Sequence, residues 1–280
     1  MLKIAISGST GLIGSRIQEL LYHDFEFIPL LQQHVDITNK DQVWNFLKDI
    51  DFDIFLHLAA YTNVDQAEKE KELVYKINVE GTRNVFNAVL QRKKKFIQIS
   101  TDFVFSGEHH PYLEDSKPDA HFGVYALSKF EAEKVITNQA MIARLSFPYR
   151  AKYEARPDLV RTLKSLLEQG REISVITDSL ITPTFIDDIA HGLQYLLQNY
   201  TPQIFHLVGN QSLSPYEAVM KIADVFNLNK SLIKKTNFRE FYKGKAPRPK
   251  MSVIKSKKNN FYKMKSLDQG LLEIKKQIRL

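Results

Sequence analysis

The chain has 280 residues, with 39 Lys and Arg against 32 Asp and Glu, a formal net charge of +7, 44% hydrophobic residues and no cysteine. That length suits one large α/β domain or a large domain with a smaller one, and the composition excludes a low-complexity or collagen-like chain. Disulfides and thiolate metal sites are excluded, no apolar stretch reaches membrane-spanning length, and no secretory leader is visible, so a cytoplasmic protein is expected.

Charge divides unevenly: the first 150 residues hold 17 Lys and Arg against 20 Asp and Glu, the remainder 22 against 12. A basic carboxyl half suits an anionic small substrate, such as one carrying a diphosphate. Nucleic acid is not expected as a partner, because no recognition module and no interleaving of aromatic with basic residues is present.

Taken in order, residues Leu2 to Ser7 form a short apolar run and read as a buried strand; Gly8-Ser9-Thr10-Gly11-Leu12-Ile13-Gly14 follows, then helical spacing from Ser15 to Tyr22. Strand, glycine loop and helix are the order a pyrophosphate site requires. Gly8 permits the turn, Gly11 lets backbone approach the phosphates, Gly14 lets helix pack on strand, and the free N–H groups of the helix start face the anion. Phe25 to Leu31 reads as the second strand. At its end Gln32 and Gln33 stand where an acid would select NAD and an arginine NADP, so the choice between NADPH and NADH stays open.

Phe52 to Leu58 reads as the third strand, with Ala59 and Ala60 small enough for a cofactor to lie against the backbone. His57 reads as a satisfied strand-end histidine, a catalytic role being the minority alternative. Val64 to Arg92 has helical character, and the basic run Arg92 to Lys95 complements a helix carboxyl end. Phe96 to Ser100 is a fourth strand that delivers Thr101 and Asp102 to its end. His109 and His110 read as surface residues, and no metal site is expected.

Tyr125 and Lys129 follow on a helix that runs to about Thr137, one turn apart on one face. An ammonium near the phenol would draw its pKa down toward working pH, suiting proton transfer to or from a carbonyl or alcohol oxygen, with Thr101 as a second hydroxyl. Among 12 tyrosines this is the one followed by lysine at the fourth place. Strands at Met141 to Leu145, Ile173 to Ile176 and Ile204 to Gly209 and helices at Asp158 to Gln169 and after Asp187-Asp188 complete the alternation; beyond Ser214 the chain is helical and basic, then irregular near Pro247-Arg248-Pro249. The fold class expected is α/β: a Rossmann-like, doubly wound parallel sheet with a smaller, interleaved carboxyl-terminal substrate lobe. Residues 1–147 and about 182–209 would form the NAD(P)-binding domain, and about 148–181 and 210–280 the lobe.

The G-x-x-G-x-x-G spacing together with Tyr125-x-x-x-Lys129 resembles the extended branch of the short-chain dehydrogenase/reductase superfamily. Ala59 to Glu68, Ser100 to Gly107, Thr182-Pro183-Thr184, Phe205 to Asn210 and Arg248-Pro249 with Ser252 narrow the likeness to dTDP-4-dehydrorhamnose reductase-like proteins, over residues 2 to about 255. The resemblance implies hydride transfer from NADPH or NADH to C4 of a nucleotide-diphosphate keto-sugar, with Thr101, Tyr125 and Lys129 catalytic. It implies cofactor contacts from Gly8, Thr10, Gly11, Leu12, Ile13, Gly14, Asp36, Ile37, Leu58, Ala59, Ala60, Tyr61, Asn78 and Ser100 besides Tyr125 and Lys129. Substrate contacts are implied for Thr62, Val64, Asp102, Phe103 and Arg248.

Four positions depart from the family pattern. Ala126 replaces a glycine, Tyr149-Arg150 replaces Tyr-Gly, Ile181 replaces a small residue, and Arg16 stands where some members place a glutamate of a metal-linked dimer contact; a homodimer is left open. A 4,6-dehydratase would carry a second acid where Phe103 stands. An epimerase of the same family shares the triad, and a cofactor-binding regulatory subunit resembling that of methionine adenosyltransferase is the non-catalytic alternative.

Overall fold

A parallel pair built from Leu2–Ser7 (β1) and Phe25–Leu30 (β2), with Gly14–Leu21 (α1) crossing between them, opens the chain. Parallel neighbours need such a crossover, and the pattern repeats. Lys40–Leu47 (α2) leads to Ile54–His57 (β3), and Val64–Ala67 (α3), Lys71–Tyr75 (α4) and Thr82–Gln91 (α5) lead to Lys95–Thr101 (β4). Val124–Ile136 (α6) then leads to Met141–Leu145 (β5). The computed structural model describes residues 1–136 and 138–279, so the expected helix end at Thr137 lies outside the described residues.

Two small strands, Pro148–Tyr149 (β6) and Thr184–Phe185 (β8), pair with each other, as do Ile173–Ile176 (β7) and Ile233–Thr236 (β10). Leu159–Glu168 (α7), Ile186–Gln198 (α8), Ile204–His206 (β9), Pro215–Phe226 (α9), Phe238–Phe241 (α10) and Leu267–Arg279 (α11) complete the chain. The main sheet has six parallel strands in the order β2-β1-β3-β4-β5-β9. Connections leave β1 in opposite directions, so the crevice at the carboxyl ends of β1 and β3 is the switch point where ligands bind in open α/β sheets.

Alternation along the strands sends side chains to both faces. Ile4, Ile6, Ile54 and Leu56 pack with Ile17 and Leu21 of α1 and Ile186, Ile189, Leu193 and Leu197 of α8. Ala5, Phe55 and Phe96 pack on the other face with Val43, Leu47, Val85, Phe86 and Val89. A separate apolar cluster joins Tyr149, Val160, Phe185, Ile222, Leu271 and Ile274, binding the small strands to α7, α9 and α11.

Two stretches add to the sequence reading. The helical material from Val64 to Arg92 is broken: a π-helical turn, Lys76–Gly81, separates α4 from α5, and a Cβ on Gly81 would lie 2.8 Å from the Ile37 side chain. The basic tail, read as lying outside the family likeness, contains α11, whose Leu267, Leu271 and Ile274 are buried. Its Gly270 is required by contact, since a Cβ there would sit 2.0 Å from the Tyr149 hydroxyl. Arg92, expected to complement the end of the helix it closes, instead donates to the carbonyl of Leu47 at the close of α2 and to that of Ile50 beyond it.

Candidate active site

The glycine loop forms a cradle with no room for side chains. Gly8 has φ +68°, and a Cβ on it would lie 2.8 Å from the Ala59 nitrogen; one on Gly14 would lie 2.3 Å from the Gly8 carbonyl oxygen. Helix α1 therefore starts against the end of β1, and no side chain caps it, so its N-terminal dipole and amides are available to an anion. Thr10, Gly11, Leu12 and Ile13 line this turn. Beside it Leu58 donates its N–H to the Ser7 carbonyl at 3.2 Å, and Ala59 donates to the Ser7 hydroxyl, which fixes Leu58, Ala59 and Ala60 next to the loop.

His57 is fully buried between the Ser7 and Thr82 hydroxyls, at 2.7 and 3.2 Å. Burial pushes its pKa down to about 3, with the charge of Lys129 adding to the effect, so it is a neutral structural histidine, as expected. Thr82 also donates to the Asn78 carbonyl, and Asn78 accepts from the Tyr61 amide at 2.7 Å while donating to the Ser128 hydroxyl at 2.9 Å. Asn78, on the π-helical turn, thereby ties the loop after β3 to the helix carrying Tyr125. The Tyr61 phenol points elsewhere, to Glu70 at 2.7 Å.

Thr101 ends β4 and donates to Asp102 at 3.0 Å, with its hydroxyl near enough to the Tyr125 phenol to pull its pKa down. Glu68 holds the start of α6 by accepting from the Val124 amide at 2.8 Å. The phenol and the threonine hydroxyl thus meet at the strand end. Lys129 does not join them as expected: its Nζ donates to the Ile99 carbonyl at 2.9 Å. Burial raises the Tyr125 pKa to about 12, against the opposing pull of Thr101 and of the positive charge of Arg156, so the expected lowering by Lys129 is corrected. Burial lowers Lys129 itself to about 8.

Asp102, expected to contact substrate, is 4% exposed and its oxygens accept from Thr101, Ser146 and Ser252. Burial pushes its pKa up, offset by those three bonds. It anchors the Thr101 strand end to the segment around Ser252 and has no free face toward the cleft. Phe103, for which the resemblance implies a substrate contact, lies edge-on to Tyr125 with ring centroids 5.6 Å apart. Phe147, which the sequence did not single out, lies 6.5 Å from Phe103 and holds φ +39°, a conformation costly for a bulky residue and typical of functional positions.

Thr62 and Val64 lie on the loop and helix start after Tyr61, and Thr62 accepts from Arg156 at 2.9 Å. Arg248 comes to the same loop, but it pairs with Asp65 and stacks 4.2 Å over Tyr242, so it is already engaged. Asp36 is exposed and turned back on Thr38, accepting from its amide at 2.8 Å and its hydroxyl at 2.9 Å; Ile37 is buried against Gly81. At the position of the metal-linked departure, Arg16 forms a two-pronged ion pair with Asp187, at 2.7 Å for each bond. Gln277 donates to the same carboxylate.

The residues present fit a dinucleotide on grounds internal to the chain. Among the described residues the Ser100 hydroxyl is buried without a hydrogen-bond partner near the β4 end and no side chain caps α1, and the glycine loop leaves backbone in place of side chains for a ligand to lie against.

Residues 2–276 match the family model described as the RmlD substrate binding domain. The chain belongs to this family, the dTDP-4-dehydrorhamnose reductase-like group of extended short-chain dehydrogenases/reductases. The spore coat polysaccharide biosynthesis protein SpsK of Bacillus subtilis is 30% identical over 259 residues, 91% of this chain and 89% of that protein. dTDP-4-dehydrorhamnose reductase of Aggregatibacter actinomycetemcomitans is 28% identical over 235 residues, 80% of this chain and 79% of that one. The crystal structure of dTDP-4-dehydrorhamnose reductase from Bacillus anthracis in complex with NADP superposes with a TM-score of 0.91 at 32% identity, covering 99% of this chain and 100% of that one. The likeness thus extends past residue 255 and takes in most of the tail.

Proposed function

We propose that the chain is an NAD(P)H-dependent reductase of the 4-keto group of a nucleotide-linked deoxysugar, of the dTDP-4-dehydrorhamnose type. The observation that carries this reading is the meeting of the Thr101 and Tyr125 hydroxyls at the end of β4, beside the glycine cradle of a nucleotide site. The cofactor, when bound, supplies a hydride to the carbonyl carbon. Tyr125 donates the proton that the carbonyl oxygen gains, and its raised pKa keeps that proton on the phenol at neutral pH. Thr101 aligns the same oxygen, and the rings of Phe103 and Phe147 wall the sugar side and exclude water. Lys129, whose ammonium already reaches toward the strand end, holds the cofactor's sugar hydroxyls.

In this reading residues 1–147 and about 182–209 bind the cofactor, while about 148–181 and 210–280 receive the nucleotide end of the substrate. The cytoplasm, where reduced nicotinamide and nucleotide sugars are available together, is the location it requires. An epimerase of the same family would use the same three residues, and interconversion of a nucleotide sugar without net oxidation of the cofactor would favour it. The test is to supply the purified protein with NADPH or NADH and a panel of nucleotide 4-keto-sugars. Oxidation of the cofactor with formation of an alcohol supports the reading. Cofactor binding without turnover on any member favours the regulatory-subunit alternative.

A further inference from the structure

Residues 150–156 run as a strap across the cleft between the glycine loop and the Thr62 loop. Arg150, only 4% exposed, pins one end by donating to the Leu12 carbonyl at 3.2 Å, the Ser15 hydroxyl at 2.9 Å and both oxygens of Glu19. The Tyr153 hydroxyl donates to the Thr10 carbonyl at 2.8 Å in the middle. At the far end, Arg156 reaches the Thr62 hydroxyl.

The cations around this cleft differ in what they face. Arg16 and Arg150 meet Glu19, Arg161 meets Asp158, and Arg248 meets Asp65. Arg156 is exposed, donates to a neutral hydroxyl, and is joined to no carboxylate among the described residues. An arginine fork bound to one neutral hydroxyl gives up little when an anion replaces that partner, whereas Arg248 would first have to leave Asp65.

We propose that Arg156 is a substrate-recognition residue that takes the diphosphate of the nucleotide sugar, exchanging its bond to Thr62 for the phosphate oxygens and so holding the sugar against Tyr125; this rests on the reading given under Proposed function. Its place on the reaction side of the cleft is supported by its charge being felt at the Tyr125 phenol. A diphosphate would neutralise that charge. The phenol would then keep its proton more firmly in the substrate complex, which suits a group that has to give one away. A free sugar lacking the diphosphate makes no such bond and is discriminated against.

The experiment uses full-length protein loaded with NADP, with dTDP as the probe in titration calorimetry and dTDP-4-keto-6-deoxy-L-mannose in steady-state assays. Arg156→Ala is expected to weaken dTDP and raise KM by about ten-fold or more, with kcat and NADP affinity changed by less than about three-fold. Arg156→Lys is expected to recover part of the loss, since it keeps the charge without the fork. Unchanged dTDP affinity in Arg156→Ala, or an equal loss of NADP affinity marking a merely structural strap, overturns the proposal. If the wild-type protein reduces no keto-sugar yet Arg156→Ala still loses dTDP, the reductase reading fails and the anion role of Arg156 stands. If the wild type turns over and the KM of the variant is unchanged, the reverse holds.

Discussion

Lys129 donates to the carbonyl of Ile99 at 2.9 Å, and this bond, not one to Tyr125, engages its ammonium. The buried lysine titrates at about 8, below its ordinary 10.5, so the ammonium is present below that pH and lost above it. Tyr125, pushed up to about 12, keeps its proton throughout the same range. The kcat/KM for reduction is therefore expected to fall as pH rises through about 8, with Lys129 rather than Tyr125 losing the proton. A steady-state profile from pH 6 to about 10 checks this, and a limb that persists in Lys129→Arg would assign it to another group.

The same burial makes the charged lysine a cost to the fold below pH 8, since the ammonium is held away from water. Lys129→Met is expected to leave the thermal unfolding midpoint at pH 7 unchanged or higher while turnover falls by about 10²-fold or more. A clear drop in the midpoint would show that the bond to Ile99 outweighs the desolvation of the ammonium. Scanning calorimetry alongside the assay separates the two.

Gly14→Ala places a methyl group 2.3 Å from the Gly8 carbonyl oxygen, and backbone on both sides cannot yield as a flexible side chain could. Helix α1 would have to move off β1, misplacing the amides that face the pyrophosphate. NADP affinity is expected to fall by about ten-fold or more, at a stability loss of about 1–3 kcal/mol. Binding by fluorescence titration and unfolding in urea report the two effects.

Asp102 accepts from Thr101, Ser146 and Ser252, joining three separate stretches of chain at a buried point. Asp102→Ala leaves these hydroxyls without their common acceptor and is expected to cost about 1–3 kcal/mol, with reduced kcat because Thr101 loses its orientation. Asp102→Asn keeps one acceptor oxygen and is expected to fall between. Urea midpoints for the three proteins, ranked against their kcat values, check the order.

The sheet and the candidate pair Thr101 and Tyr125 were legible because their signals are local. Apolar runs ending in glycine or hydroxyl residues gave the strands of the main sheet to within a few residues, and Tyr125 stood out by spacing and by its distance after Thr101. What the sequence hid depends on contacts between distant stretches. Asp102 read as a substrate contact until Ser252, 150 positions away, turned out to take it. Lys129 shares a helix face with Tyr125, yet the carbonyl it finds belongs to a strand 30 residues earlier. Nothing local marks Arg156, whose relevance comes from Thr62 lying across the cleft. Helix α11 was missed although Leu267, Leu271 and Ile274 recur at helical spacing; that they are buried depends on Tyr149 and on α9.

Gln32 and Gln33, at the end of β2, are exposed and neutral, so they neither bind a 2′-phosphate strongly nor repel it. NADPH and NADH are expected to bind within about ten-fold of each other, and Gln33→Arg to tighten NADPH selectively. Equilibrium titration with both reduced cofactors decides this.

The most direct measurement is steady-state oxidation of NADPH and NADH by the wild type and Tyr125→Phe, with dTDP-4-keto-6-deoxy-L-mannose as substrate and the sugar product identified. Wild-type protein is expected to form one alcohol per cofactor oxidised, and Tyr125→Phe to lose about 10²-fold or more in turnover with cofactor affinity kept within a few fold. No oxidation with either cofactor, or equal turnover by both proteins, would contradict the account.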